Sequence, residues 1–580
     1  MPKPVKHLFI PSLLTLALIG CATQPGSQKP PASAKTQEKE IVLPFKSTAV
    51  PPKKHLDKEL LYNYLAGEIS VQRGAWEEAY EHLLLAATEA KDAVAASKAA
   101  RLAWRQNDMI RATRAILLWV EYDPNDLSAR QLAMLTALRN ENIDQALEQA
   151  RAILQIASAK SKDGFLLLSS ALATSKEKNK LTMIQRLAEQ YPEDAHAQYA
   201  MALVSTQEKQ FDLALQAIER SQQLDPDWDK PYLLRVQIYA MQGDEPGAEK
   251  LLREAADTHP SPALLEAYGR LLMQEKKYQQ ALENFQKALD LTPDDQELLY
   301  MIGILALQTK DWDLAKATWE QLRDSPRYHK VQEAWYFLGQ MEELQGNLKQ
   351  ATENYSRVKN GRLLSDAQIR TAILTGKLGN LDEAHELFNA LRLTDPDQAV
   401  QIYITEAQLL KELHKPDSAL ELYDEAINTY PQEADLLYAR GLLAADLGKI
   451  DLAEQDFKAA LAIKPDDADT LNALGYTLAD QTDRYSEAYA YIKKALELNP
   501  DSAAILDSMG WVLFRMKEYT QALEYLRKAA EKMDDPEITA HLIEVLWVTG
   551  SRQEAQELLD KADTTYPDNH KLKDVKQRLQ

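Results

Sequence analysis

From about Leu60 almost to the C-terminus the chain repeats itself roughly every thirty-four residues, and a short period held over this length admits an architecture of stacked, similar units. The comb is clearest in a small residue: Ala79, Ala112, Ala146, Ala214, Ala248, Ala281, Ala315, Ala351, Ala384, Ala419, Ala453, Ala488, Ala522 and Ala555, interrupted only at Lys180. Proline falls between repeats at Pro124, Pro192, Pro226, Pro260, Pro293, Pro396, Pro431, Pro465, Pro500 and Pro567. A proline cannot continue a helix interior, so each marks a stop. Glycine precedes the alanine by twelve residues at Gly269, Gly303, Gly339, Gly441 and Gly510, and by thirteen at Gly475. At these points two helices must approach without a side chain between them.

One unit is legible from Trp335 onward: Trp335, Leu338, Gly339, Gly346, Ala351 and Tyr355 outline two apolar-periodic helices joined at a glycine turn. This pattern resembles the tetratricopeptide-repeat family. The resemblance implies an all-α, right-handed superhelical solenoid of about fifteen helix pairs over residues 56–567. Two helices of about fourteen residues cannot bury their apolar stripe alone, so each pair must stack on the next and stability should be local and additive. Residues 568–580, rich in Lys and Asp, read as the capping segment. The stretch Ser175–Lys180 lacks both the turn glycine and the alanine, which marks the fourth unit as the weakest.

The N-terminus carries Lys3 and Lys6 and then an apolar run from Leu8 to Leu18, too short to span a bilayer and suited to a signal peptide over residues 1–20. It ends in Leu18-Ile19-Gly20-Cys21, which resembles the bacterial lipobox. The resemblance implies that Cys21 is acylated and becomes the first residue of the mature chain. Cys21 is also the only cysteine, so an intrachain disulfide is excluded. Several acyl chains would hold the protein stably at a membrane, where one chain holds it only marginally. Ala22 stands where many inner-membrane lipoproteins carry Asp, so the sorting rule implies the outer membrane, with the body facing the periplasm. Residues 21–55, with Pro25, Pro30, Pro31, Pro44, Pro51 and Pro52, read as a disordered tether with a reach on the order of 30 Å.

The net charge is -21 and the tether is not acidic, so the acidity belongs to the repeats. Nucleic acid is thereby an unsuitable partner, and basic proteins a suitable one by steering. Acidity also keeps a long soluble chain dispersed, and the sequence leaves both roles open. No catalytic constellation stands out: there is no HExxH, no histidine pair one helical turn apart and no G-x-S-x-G. Asp225, Asp227 and Asp229 imitate the start of a calcium loop, but Lys230 and Val236 occupy the positions that need Gly and the bidentate Glu. Gly376-Lys377 lacks the rest of a phosphate loop. No enzyme activity, cofactor or metal is expected, and what remains is a protein-binding surface.

In the tetratricopeptide family the first helix of each unit lines the concave side. Carrying its groove positions onto this chain marks Asn472 and Tyr476, then Asp507, Trp511, Phe514 and Arg515, then His541, Glu544 and Trp547. Aromatics beside polar groups are the stuff of interface hot spots. The same side chains could instead lie half-buried between adjacent first helices. Near the other end, Lys98, Arg101 and Arg105, with Arg139 one unit on, could clamp a carboxylate such as a peptide C-terminus, or simply be solvated charge.

A closer resemblance rests on Leu65-Ala66-Gly67-Glu68 with Gln72-Arg73-Gly74, on residues 470–480 (TLNALGYTLAD), on residues 507–512 (DSMGWV) and on residues 541–547 (HLIEVLW). These are similar to the large tetratricopeptide lipoproteins of the LbcA type, which partner a carboxyl-terminal processing protease. The resemblance implies an adaptor that binds the periplasmic serine protease and its substrates, murein hydrolases. Other tetratricopeptide lipoproteins serve as scaffolds for pilus assembly or polysaccharide export, and a non-catalytic activator of a cell-wall enzyme is a further alternative.

Overall fold

The computed structural model describes residues 57–161 and 163–579, in which thirty-one α-helices and one short 3-10 turn account for all regular structure. The expected signal peptide, the acylated Cys21 and the tether over 21–55 lie outside the described residues. The helices alternate as first and second members of pairs, most of them packed on their neighbours in sequence; in the fourth repeat, Gly164–Thr174 and Lys180–Ala188 pack instead on Ala195–Gln207. They divide into two compact units, one ending at Ala248 and one from Glu249 to the C-terminus.

The comb has a physical reading. Ala79, Ala112, Ala146 and Ala214 in the first unit, and Ala281, Ala315, Ala351, Ala419, Ala453, Ala488, Ala522 and Ala555 in the second, are wholly buried on second helices. The glycines of the second unit lie beneath a large side chain of the following helix. A Cβ at Gly269 would sit 2.8 Å from Phe285, at Gly303 2.6 Å from Trp319, at Gly339 2.8 Å from Tyr355 and at Gly441 2.7 Å from Phe457. Gly510 meets Leu526 at 2.5 Å and also the Ala522 carbonyl at 3.1 Å, so a methyl group there would overpack by about 1–3 kcal/mol. The aromatic that fills each glycine's place is itself buried core. Gly376, too, is a packing position: its Cβ would meet Leu409 at 2.7 Å.

Helix starts are capped where the chain offers an oxygen. Asp126, Asp194, Asp295 and Asp535 accept from backbone N–H groups two and three residues on, and Pro262, Pro416 and Pro536 open their helices. Asp225 and Asp227 lie in the turn between the helices Phe211–Leu224 and Asp229–Met241, and Asp229 opens the second of these. In the fourth repeat the helices Gly164–Thr174 and Lys180–Ala188 are shortened to 11 and 9 residues. Lys180, the residue that breaks the alanine comb, is buried, with its Nζ donating to the Ser175 carbonyl at 2.7 Å and pairing with Glu208 at 2.9 Å. At the other end, residues 570–579 form a helix that buries Leu572 and Val575 against the preceding repeat.

Candidate interaction face on the first helices

Within the second unit the first helices Ala468–Gln481, Ala503–Arg515 and Pro536–Val548 and the terminal helix His570–Leu579 lie side by side. Gly475 and Gly510 press the first two onto their second helices, which leaves their other faces turned toward the neighbouring first helices. That is where the marked residues sit. Asp507, Trp511 and His541 are only 6, 5 and 5 % exposed, and Asn472, Tyr476, Phe514, Arg515, Glu544 and Trp547 are half-buried.

Most of these side chains are held by neighbours within the chain. His541 turns Nδ1 to the Asp507 carboxylate, 3.0 Å from each oxygen, and its ring stacks on Trp511 with centroids 4.1 Å apart. The Trp511 indole N–H donates to Asp480 at 3.1 Å. Arg515 donates to the Asp480 carbonyl at 3.2 Å and to the Tyr485 hydroxyl at 2.9 Å. The Tyr476 hydroxyl donates to Glu537 at 2.7 Å, and Lys571 closes on the same carboxylate. Phe514 leans on Trp511 with centroids 5.3 Å apart, Arg552 lies 5.3 Å from the Trp547 ring, and Arg578 donates to Glu544 at 3.1 Å. Asn472 Oδ1 and the second Glu544 oxygen are buried without a protein partner.

Charge in this layer is held against the cost of burial. Desolvation opposes the imidazolium of His541, but the Asp507 carboxylate that touches it and Glu537 nearby outweigh that cost and raise its pKa above the ordinary value. Desolvation likewise opposes ionised Glu537. Lys571, the Tyr476 hydroxyl and His541 together win, and its pKa is lowered. The arrangement ties three first helices and the terminal helix together, with Phe514 and Trp547 among its half-buried aromatic groups.

Sequence reasoning missed Asp480, Tyr485, Glu537 and Lys571, though a signal was present. His541 and Asp507, Lys571 and Glu537, and Arg578 and Glu544 are each 34 residues apart. Opposite charges one period apart meet on adjacent first helices.

The second marked group is dispersed. Lys98 pairs with Glu68, and Arg139 pairs with Glu177 at 2.6 Å while its guanidinium covers Trp104 at 4.8 Å. Arg101 lies 5.6 Å from the Trp119 ring, and Arg105 is exposed in the last turn of the helix Ala93–Arg105. Lys98 and Arg139 thus already hold a carboxylate of the chain itself. Among the described residues no cluster of metal-ligating side chains occurs, and no helix is long and apolar enough to cross a membrane.

Family models described as tetratricopeptide repeat match residues 233–296 and 404–468, 272–334 and 513–579, and 468–502. The TPR repeat-containing protein PA4667 of Pseudomonas aeruginosa is 30% identical over 535 residues, covering 92% of this chain and 89% of that protein. Among solved structures, pilF of Pseudomonas aeruginosa is 19% identical, covering 37% of this chain and 97% of its own, with a TM-score of 0.30. PilW, described as a widely conserved type IV pilus biogenesis factor, is 18% identical, covering 37% and 99%, with a TM-score of 0.31.

Proposed function

We propose, from the premise that this chain belongs to the tetratricopeptide-repeat family, that it is an outer-membrane adaptor, anchored through Cys21 and facing the periplasm. It binds a carboxyl-terminal processing serine protease and presents murein hydrolases to it for degradation. The observation that carries the adaptor reading is the extent of the repeat: helix pairs fill the described chain from Lys58 to Leu579. Tetratricopeptide repeats mediate protein–protein contacts, and a chain built of them is suited to hold partners. Holding two partners on one tethered body raises their effective concentration without new chemistry. The acidity of the repeats favours basic clients by steering. Phe514 and Trp547 supply apolar anchor edges beside the polar ladder.

The test is capture from periplasmic extract on an immobilised chain beginning at Ala22, with and without a catalytically dead processing protease. Recovery of that protease together with murein hydrolases is the expected outcome. Recovery of pilus or secretion components in their place would reject the protease pairing and leave the scaffold alone.

A further inference from the structure

The helix Lys58–Arg73 has two apolar faces. One, carrying Leu60, Gly67 and Ser70, is buried against the next helix, Trp76–Ala90; a Cβ at Gly67 would lie 2.8 Å from Leu83. The other carries Leu61, Leu65 and Ile69 at successive steps of four, with Tyr62 beside them, and these are 42, 53, 44 and 62 % exposed. At 3.6 residues per turn the four fall within a sector of about 100°, opposite the buried face. This helix is the first of the described array.

We propose that this outer stripe is covered by the chain's own segment Ile41-Val42-Leu43-Pro44-Phe45, which lies outside the described residues. Between Ala22 and Glu40 the sequence holds no large apolar residue, and then it presents four within five positions. A purely solvated tether has no use for them. Pro44 does not fit a helix interior. The eleven residues 46–56 that join the segment to Asp57 reach about 36 Å when extended, more than the roughly 24 Å length of the sixteen-residue helix. They carry Lys46, Lys53 and Lys54 and no acid, while the helix and its neighbour present Glu59 and Glu78 at the surface. A tethered segment acts at an effective concentration in the millimolar range, so a small stripe suffices. A second copy would need about 800 Å² per partner, far more than four partly exposed side chains offer.

This packing is internal to the chain and stands whichever partner the adaptor binds. Amide exchange is followed in the full chain and in an Ile41→Ser/Leu43→Ser/Phe45→Ser variant. Exchange over residues 58–73 rises about tenfold or more in the variant, while the helix Ala93–Arg105 is unchanged and reports an intact fold. Leu65→Glu, at an exposed position, releases residues 41–45 to faster exchange and proteolysis. Equal exchange in the two chains overturns the proposal. So does protection that depends on protein concentration, which assigns the stripe to a second copy, or protection seen only with anionic phospholipid vesicles, which assigns it to lipid.

Discussion

His541 is buried between a carboxylate on its own helix and one on the preceding first helix, Glu537 and Asp507, with Lys571, Tyr476 and the Trp511 ring completing its surroundings. A histidine whose folded pKa is raised adds stability that is fully present below its unfolded value near 6.5 and is lost as pH rises through the folded pKa. Glu537, lowered in the fold, adds stability that is present above about pH 4.3 and is lost as pH falls through its folded pKa. The helices Ala503–Arg515 and Pro536–Val548 should therefore be best protected in mildly acidic solution. Hydrogen exchange of these two helices, corrected for intrinsic rates, is expected to show protection declining above about pH 6.5, and His541→Gln should abolish that decline. A decline of the same size in the variant would place the titrating group elsewhere. The residue types of this cluster were legible in the sequence, but its two alternative uses were not separable. Hydrogen-bond geometry assigns Asp507, Trp511 and His541 to holding neighbouring repeats together.

At the scale of the element, most turns between paired helices place one residue at positive φ, the turn after Gln481 being an exception. Gly243, Gly346, Gly379, Gly448 and Gly550 supply it without strain, whereas Lys276, Lys310, His414 and Lys517 take the same conformation with φ of 58 to 68°. A residue with a Cβ in that region costs about 1 kcal/mol. Lys517→Gly is thus expected to stabilise the second unit by roughly 0.5–1 kcal/mol, the gain being reduced by the greater freedom of glycine in the unfolded chain. The denaturant midpoint of the full chain measures it, and an unchanged or lower midpoint would show that Lys517 is held by something stronger than the turn. Where glycine stood between the two helices of a unit, as at Gly346, the turn was readable from sequence; where lysine stood, nothing in its chemistry announced positive φ. Lys180 is the reverse case. Its identity suggested a defect, and burial with Ser175 and Glu208 as partners makes it a polar plug in place of the alanine.

For the whole molecule, repeats that contact only their neighbours open locally, and the weakest link is the fourth repeat, where both helices are short and pack on Ala195–Gln207 rather than on each other. Exchange is expected to be fastest, outside the chain ends, in Gly164–Thr174 and Lys180–Ala188, and slower in the helices Ala129 and Ala217 belong to, Leu127–Arg139 and Phe211–Leu224. One common opening rate along the chain would contradict this and indicate all-or-none unfolding.

The period, the helical class, the alanine and glycine combs and the position of the irregular fourth repeat were determined by sequence alone, because each depends on spacing and on what a backbone tolerates. Only the tertiary structure decided which large side chain fills the space above each glycine, and whether a polar residue on a first helix faces a partner or its own neighbour. Those outcomes depend on residues about 16 or 34 positions away. A local pattern records that a gap or a charge exists, and packing determines what meets it.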